Sequence, residues 1–230
     1  MEKITKNRES IAADVQFAVA ESYKTIRANI QFLLTRKEGC KVVAVSSSIA
    51  AEGKTTNAVN LAISFSQLGK RVLLIDADLR RPTVHKKLKI ENSEGLSGVL
   101  AGFSSFDRAV ISINQNFSVL PSGTTPPNPS ELLASREFEE LLSKFKEEYD
   151  YIVIDTPPVG IVSDALTIGR ISDGVLLVVK EKSTTYNDFE RVVDSLKLAE
   201  ITILGVVLNG SVARDYYPNY RTYRTYRSVH

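Results

Sequence analysis

The sequence predicts an α/β domain with a doubly wound, mainly parallel sheet and helices on both faces, and three observations predict it. Short runs rich in Val, Ile and Leu recur at residues 41–46, 71–76, 151–155, 174–180 and 203–209, without polar alternation. Such runs suit strands buried on both faces, the condition of a parallel sheet covered by helices. Segments that read as helices lie between them, and a Gly-Lys-Thr loop separates the first run from the first of those helices. Alternating strands and helices place ligands at the carboxyl ends of the strands.

Each element has its own signal. Residues 17–34 read as one helix carrying Glu21, Lys24 and Arg27 at spacing three. A helix over 55–68 follows the first strand. The runs 71–76 and 151–155 each end in aspartate, Asp76 and Asp155. Between them a helix over 131–145 sets Phe138, Leu141, Leu142 and Phe145 on one stripe. Asn128 is placed to cap that helix, Pro129 suits its first position, and Glu131 stands where a capping box wants an acid. Residues 211–230 have neither period nor apolar face and are expected to stay disordered alone. The expected division is a P-loop domain over 1–210 and a flexible, tyrosine-rich tail over 211–230.

The chain has 230 residues, 43% of them hydrophobic, enough for one sizeable core and too few for a second full domain. Twenty-nine Lys and Arg against twenty-seven Asp and Glu leave a charge of +2, which excludes a surface that is basic throughout. The one cysteine, Cys40, cannot form an internal disulfide, which suits a reducing compartment such as the cytoplasm. No apolar run approaches the ~18 residues of a membrane span, and residues 1–14 lack the apolar core of a signal peptide. Work at a membrane would then need another protein to bring the chain there.

The sharpest motif is the loop Ser48-Ile49-Ala50-Ala51-Glu52-Gly53-Lys54-Thr55, set between strand and helix as a P-loop requires. Its N–H groups and the helix N-terminus would meet phosphates where unsatisfied donors already exist. Ser48, Ala51, Glu52, Gly53, Lys54, Thr55 and Thr56 are the expected nucleotide contacts. Lys54 would neutralise the β- and γ-phosphates, and the Thr55 hydroxyl would ligate magnesium. Ser48 stands where the strict pattern has its first glycine, so the match rests on Gly53-Lys54-Thr55 and its context.

Asp155 ends its strand as a Walker B acid does, to hold magnesium directly or through water. Alone, such an Asp is more often a turn residue. The second strand of this kind ends Asp76-Ala77-Asp78, followed by Leu79-Arg80-Arg81-Pro82. One phosphate site does not need three strand-end acids. The extra pair suggests chemistry with a carboxylate near an attacking hydroxyl as well as near the metal.

At this point the residues resemble the bacterial protein tyrosine kinases of capsule and exopolysaccharide synthesis, over nearly the whole chain. Residues 21–27, with Glu21, Lys24 and Arg27, look like that family's oligomerisation helix, although the family motif has Arg where this chain has Lys24. Gly53-Lys54-Thr55 matches its Walker A, residues 75–80 its additional Walker A′, and Ile154-Asp155-Thr156-Pro157-Pro158 its Walker B. Residues 126–132 and the terminal tyrosine cluster are similar too. The resemblance implies phosphoryl transfer from ATP with Mg2+ to tyrosine, with Lys54, Asp76 and Asp78 catalytic. Thr55, Asp76, Asp78 and Asp155 would be the metal set, with Asp76 the favoured base. Arg80 either orients these acids, stabilises transferring charge, or makes a surface ion pair. Tyr216, Tyr217, Tyr220, Tyr223 and Tyr226 would be the phosphoacceptors, passed between subunits of a homo-oligomeric ring such as an octamer. From Asn209 to Tyr226 an extended chain reaches roughly 55 Å. Further implied partners are a transmembrane polysaccharide co-polymerase as activator and substrates such as sugar-nucleotide dehydrogenases. The location implied is the inner face of the plasma membrane, through the activator.

Two rivals compete. Partitioning and positioning ATPases share the P-loop and Asp155 but carry an early loop lysine where this chain has Ile49. In a nucleic-acid or anionic-membrane binder, Arg214, Arg221, Arg224 and Arg227 would contact phosphates while tyrosines stack on bases. The Asp76 and Asp78 pair and the tyrosine tail favour the kinase, and no nucleic acid is expected. His85 and His230 lack the partners of a metal site, and Cys40 has no neighbouring histidine to make it a nucleophile.

Overall fold

In a computed structural model, residues 2–211 of the protein are described, with side chains from residue 16 onward. The expected acceptors Tyr216, Tyr217, Tyr220, Tyr223 and Tyr226, and the tail as a whole beyond residue 211, lie outside the described residues. In chain order the elements are α1 (Glu2–Leu33), β1 (Lys41–Ser47), α2 (Lys54–Ser66), β2 (Val72–Asp76), α3 (Val84–Leu88), α4 (Leu96–Leu100) and α5 (Phe106–Ala109). Then follow β3 (Ile111–Asn114), β4 (Phe117–Leu120), α6 (Pro129–Leu133), α7 (Arg136–Glu148), β5 (Tyr151–Asp155), α8 (Asp164–Ile171), β6 (Gly174–Lys180), α9 (Tyr186–Leu198) and β7 (Ile203–Asn209).

The strands form one sheet in the order β3-β4-β2-β5-β1-β6-β7, all pairs parallel except β3 with β4. The five expected strands are present. Side chains alternate across the sheet, as the strand period of two requires. Val42, Ala44, Leu73, Ile75, Ile152 and Ile154 face one layer of helices, where Phe138, Leu141, Leu142 and Phe145 of α7 pack with α8 and α9. Val43, Val45, Val72, Leu74 and Val153 face the other, where α2 supplies Ala58, Leu61, Ala62 and Phe65 and α1 supplies Ile30. Both faces being apolar explains why the runs show no polar alternation.

Register sets the site. In the pairing of β2 with β5, Asp76 stands opposite Asp155, so two carboxylates arrive side by side at one sheet edge. In the pairing of β1 with β5, Val45 stands opposite Asp155, which brings the loop after β1 to the same edge.

Three details differ from expectation. The hairpin of β3 and β4 adds two strands at one end of the sheet. The helix expected over 131–145 is two helices, because Ser135 breaks off in extended conformation and its side chain caps α7 by accepting from the Phe138 N–H. Asn128 and Pro129 do begin α6, but the Asn128 side chain makes no cap and instead donates to Glu131 at 2.7 Å. Among the described residues no helix is long and apolar enough to cross a membrane.

Phe65 is fully buried and stacks on Tyr151 with ring centroids 3.9 Å apart, tying α2 to β5. We expect Phe65→Ala to cost about 3–5 kcal/mol of stability in a denaturant titration. A midpoint unchanged from the parent would show that α2 is held by other contacts.

Candidate active site

The loop between β1 and α2 closes over the sheet edge. Gly53 adopts φ +95, and a Cβ there would lie 2.2 Å from the Asn209 side-chain nitrogen, so only glycine fits. Ala51 is also left-handed, at φ 64. Gly53 gives α2 no side-chain cap, so the first-turn N–H groups are left to an anion.

Of the expected contacts, Ala51, Gly53, Lys54, Thr55 and Thr56 line a cleft of ≈ 610 Å³. Glu52 does not. Its buried carboxylate turns the other way, accepting from the Ile49 N–H at 2.9 Å, the Lys180 N–H at 3.4 Å and the Thr184 hydroxyl. It braces the loop against the end of β6, while Asn209 at the end of β7 donates to the Glu52 carbonyl at 2.8 Å. Ser48 is buried as well, its hydroxyl without a hydrogen-bond partner among the described residues.

Lys54 gathers the acids. Its ammonium donates to Asp78 Oδ2 at 2.8 Å and lies 3.6 Å from Asp155 Oδ1. The Thr55 hydroxyl donates to Asp155 Oδ2 at 2.6 Å and accepts from the Thr83 hydroxyl at 2.9 Å. Asp76 is fully buried, with Oδ2 accepting from the N–H groups of Thr83 and Val84 and Oδ1 from that of Asp78. Asp78 is the acid that lines the open cleft, across from Pro157, Pro158 and Ile161.

Electrostatics follow from three carboxylates sharing one ammonium. Burial, then the charge of Asp155, pushes the Asp76 carboxyl up to about 8, although the Val84 N–H and Lys54 oppose the shift. Burial likewise raises Asp155 to about 6 against the pull of Lys54 and Thr55. Burial alone would lower Lys54, but Asp155 and Asp78 outweigh it, and the net shift is upward. Asp155 Oδ1 is buried and, among the described residues, has no hydrogen-bond partner, with the Lys54 ammonium 3.6 Å away. Among the described residues no three acidic, His or Cys side chains form a metal cage by themselves. A magnesium ion fits such a site, because it uses one or two protein oxygens and takes the rest from phosphate and water.

Arg80 forms a two-point pair with Asp164 of α8, a residue with no local sequence signal beyond its helix-start position. The helix residues behave differently from one another. Glu21 and Lys24 pair on the same half-exposed face at 2.7 Å, whereas Arg27 reaches across to α2 and donates to the Ser64 carbonyl at 2.6 Å. Arg27 is therefore engaged within the chain. Burial pushes the Cys40 thiol up to about 11, which agrees with its exclusion as a nucleophile.

A parallel sheet, a glycine-lysine-threonine loop and strand-end acids beside it define a P-loop protein of the class that binds nucleotide with magnesium. The model of the AAA domain family matches residues 40–203. Tyrosine-protein kinase YwqD of Bacillus subtilis is 42% identical over 83% of this chain and 81% of its own length. The kinase domain of Escherichia coli tyrosine kinase ETK superposes with a TM-score of 0.81 at 33% identity, over 85% of this chain and 76% of that one. The chain belongs to the bacterial protein tyrosine kinases. A partitioning-type relative fits less well: the septum site-determining protein MinD of Pyrococcus horikoshii, solved with Mg-ADP, has a TM-score of 0.63 at 27% identity, over 76% of this chain and 73% of that one.

Because the buried Glu52 carboxylate holds two backbone N–H groups and a hydroxyl, Glu52→Ala should destabilise the protein by about 1–3 kcal/mol. Thermal or denaturant unfolding measures this. Parent-like stability would remove Glu52 as the brace between the loop and β6.

Proposed function

We propose that this chain transfers the γ-phosphoryl group of ATP to tyrosine hydroxyls of the tail over 211–230, offered by neighbouring subunits of a homo-oligomer. The observation that carries this reading is Lys54, held between Asp78 and Asp155 beside an uncapped helix N-terminus. Phosphates entering the cradle compete with Asp78 for the ammonium. As Lys54 moves to them, Asp78 is freed at the cleft.

The tyrosine oxygen then forms a bond to the γ-phosphorus while the bond to the β–γ bridging oxygen breaks and ADP leaves. A tyrosine hydroxyl, with a pKa of about 10, is neutral at pH 7 and needs an acceptor for its proton as bonding develops. We assign that acceptor to Asp78 rather than Asp76. Asp78 lines the cleft, whereas Asp76 is sealed beneath it with its oxygens taken by backbone N–H groups. Thr55 and Asp155 would hold magnesium, with Asp76 behind them; the ion, when bound, neutralises charge on the phosphates. Lys54 and the N–H groups of α2 position the donor, which is most of what a loose phosphoryl-transfer transition state asks of a protein.

Kinship with bacterial tyrosine kinases supports a role in capsular or exopolysaccharide synthesis. In the same reading a membrane co-polymerase activates the chain and holds it at the cytoplasmic face, and sugar-nucleotide dehydrogenases are further substrates. The half-exposed Glu21 and Lys24 of α1 are available to a neighbouring subunit, with Arg27 fixing α1 on α2.

Lys54→Met should lower tyrosine phosphorylation by about 100-fold or more while leaving the circular dichroism spectrum intact. Mixing Lys54→Met with an active chain lacking residues 211–230 tests the route. Phosphate is expected on the inactive partner's tail by mass spectrometry. Its absence there, with robust phosphorylation of the intact enzyme, would rule out transfer between subunits.

A further inference from the structure

Asp164 is almost fully buried at the first position of α8, and the transfer step above makes no use of it. Its carboxylate accepts from Arg80 Nε at 2.8 Å and Nη2 at 3.4 Å, and from the Ser130 hydroxyl at 2.6 Å. Arg80 Nη2 also donates to Ser130 Oγ at 2.7 Å. The three side chains close a triangle, although they come from the segment after β2, the first turn of α6 and the first turn of α8.

The triangle has a direction. Arg80 keeps 39% of its side chain exposed and lines the nucleotide cleft together with Lys54 and Asp78. Its Nε and Nη2 are spent on Asp164 and Ser130, while Nη1 takes no hydrogen bond among the described residues. A planar guanidinium gripped along one side presents the other in a fixed orientation, which a lysine cannot reproduce. Arg81 and Lys87 line the same cleft, and neither forms an ion pair among the described residues. An isolated surface pair would contribute little, and a buried carboxylate is costly to keep for stability alone. Among the described residues, the buried carboxylate anchors the one peripheral cation of the cleft that forms an ion pair.

We infer that Asp164, with Ser130, is a positioning residue that aims Arg80 at the phosphoryl group in transfer. The inference rests on the phosphoryl-transfer reading above. Arg80 stabilises charge that develops on the equatorial oxygens, and its benefit depends on orientation more than on the presence of a positive charge.

The test compares the full chain with Asp164→Asn, Arg80→Lys, Arg80→Ala and the double variant Asp164→Asn/Arg80→Ala. Single-turnover tyrosine phosphorylation and the dissociation constant for a magnesium complex of a non-hydrolysable ATP analogue are measured for each. Asp164→Asn and Arg80→Lys should each slow transfer about 10- to 100-fold while shifting nucleotide affinity less than about three-fold. The double variant should be no slower than Arg80→Ala alone, since the two residues act as one unit. Additive losses, or equal losses in affinity and rate, would overturn the proposal in favour of a structural ion pair. If Asp164→Asn fails to fold, Arg80→Lys decides, because it keeps the charge and loses the two-point grip; a parent-like rate there refutes positioning. A parent chain that transfers nothing to tyrosine overturns the transfer reading as well, whereas a parent that transfers and variants that match it overturn only this inference.

Discussion

Three carboxylates, Asp76, Asp78 and Asp155, are buried around the single ammonium of Lys54, and the rest of the site depends on that imbalance. Removing carboxylates from water is costly unless they are paired, so a cluster with more negative than positive charge is unfavourable when empty. The upward shifts of Asp76 and Asp155 express that cost. Bringing a cation into the cluster relieves it. Lys54 alone cannot, because once it turns to a phosphate it leaves the acids behind. A divalent ion arriving with the nucleotide resolves both demands together, and so nucleotide and metal are expected to bind as one unit.

The fold exists to hold those charges at fixed separations. A parallel sheet buried on both faces gives rigid strand ends, and the register that sets Asp76 against Asp155 leaves little freedom in their spacing. Around this edge the loops are tied down by side chains rather than by regular structure. Glu52 locks the phosphate loop to β6, Asn209 locks it to β7, and the N–H groups of Thr83 and Val84 fix Asp76. Precise positioning thus comes from polar groups that are themselves hydrogen-bonded, which is how a site keeps its geometry when the ligand departs.

What was legible in the sequence was what is local. The Gly53-Lys54-Thr55 loop, the strand-end acids and the five long apolar strands each declare themselves within a few residues. The hairpin of β3 and β4 did not, because four-residue strands with exposed faces on β3 carry too little periodic signal. The break before α7 hid behind an unbroken apolar stripe, since Phe138 and its partners keep helical spacing whether or not the helix begins at Arg136. Side-chain direction was the other loss. Glu52 sits inside the loop yet faces away from the cleft, and Arg80 pairs with Asp164, 84 residues along the chain. Spacing along a sequence cannot reveal a partner brought close only when the start of α8 packs beside α6 and the segment after β2.

The most direct test of the central claim is thermal unfolding of the parent and of Asp155→Asn, each with Mg2+ alone, with a non-hydrolysable ATP analogue in chelator, and with both together. Stabilisation by a ligand follows its affinity for the folded state, so coupling between metal and nucleotide appears as a shift larger than the two separate shifts added. The parent should show that excess, and Asp155→Asn should lose it while keeping the part due to nucleotide alone. An excess of equal size in both proteins would contradict the account, because the metal would then be held without the buried carboxylate on which the site is argued to depend.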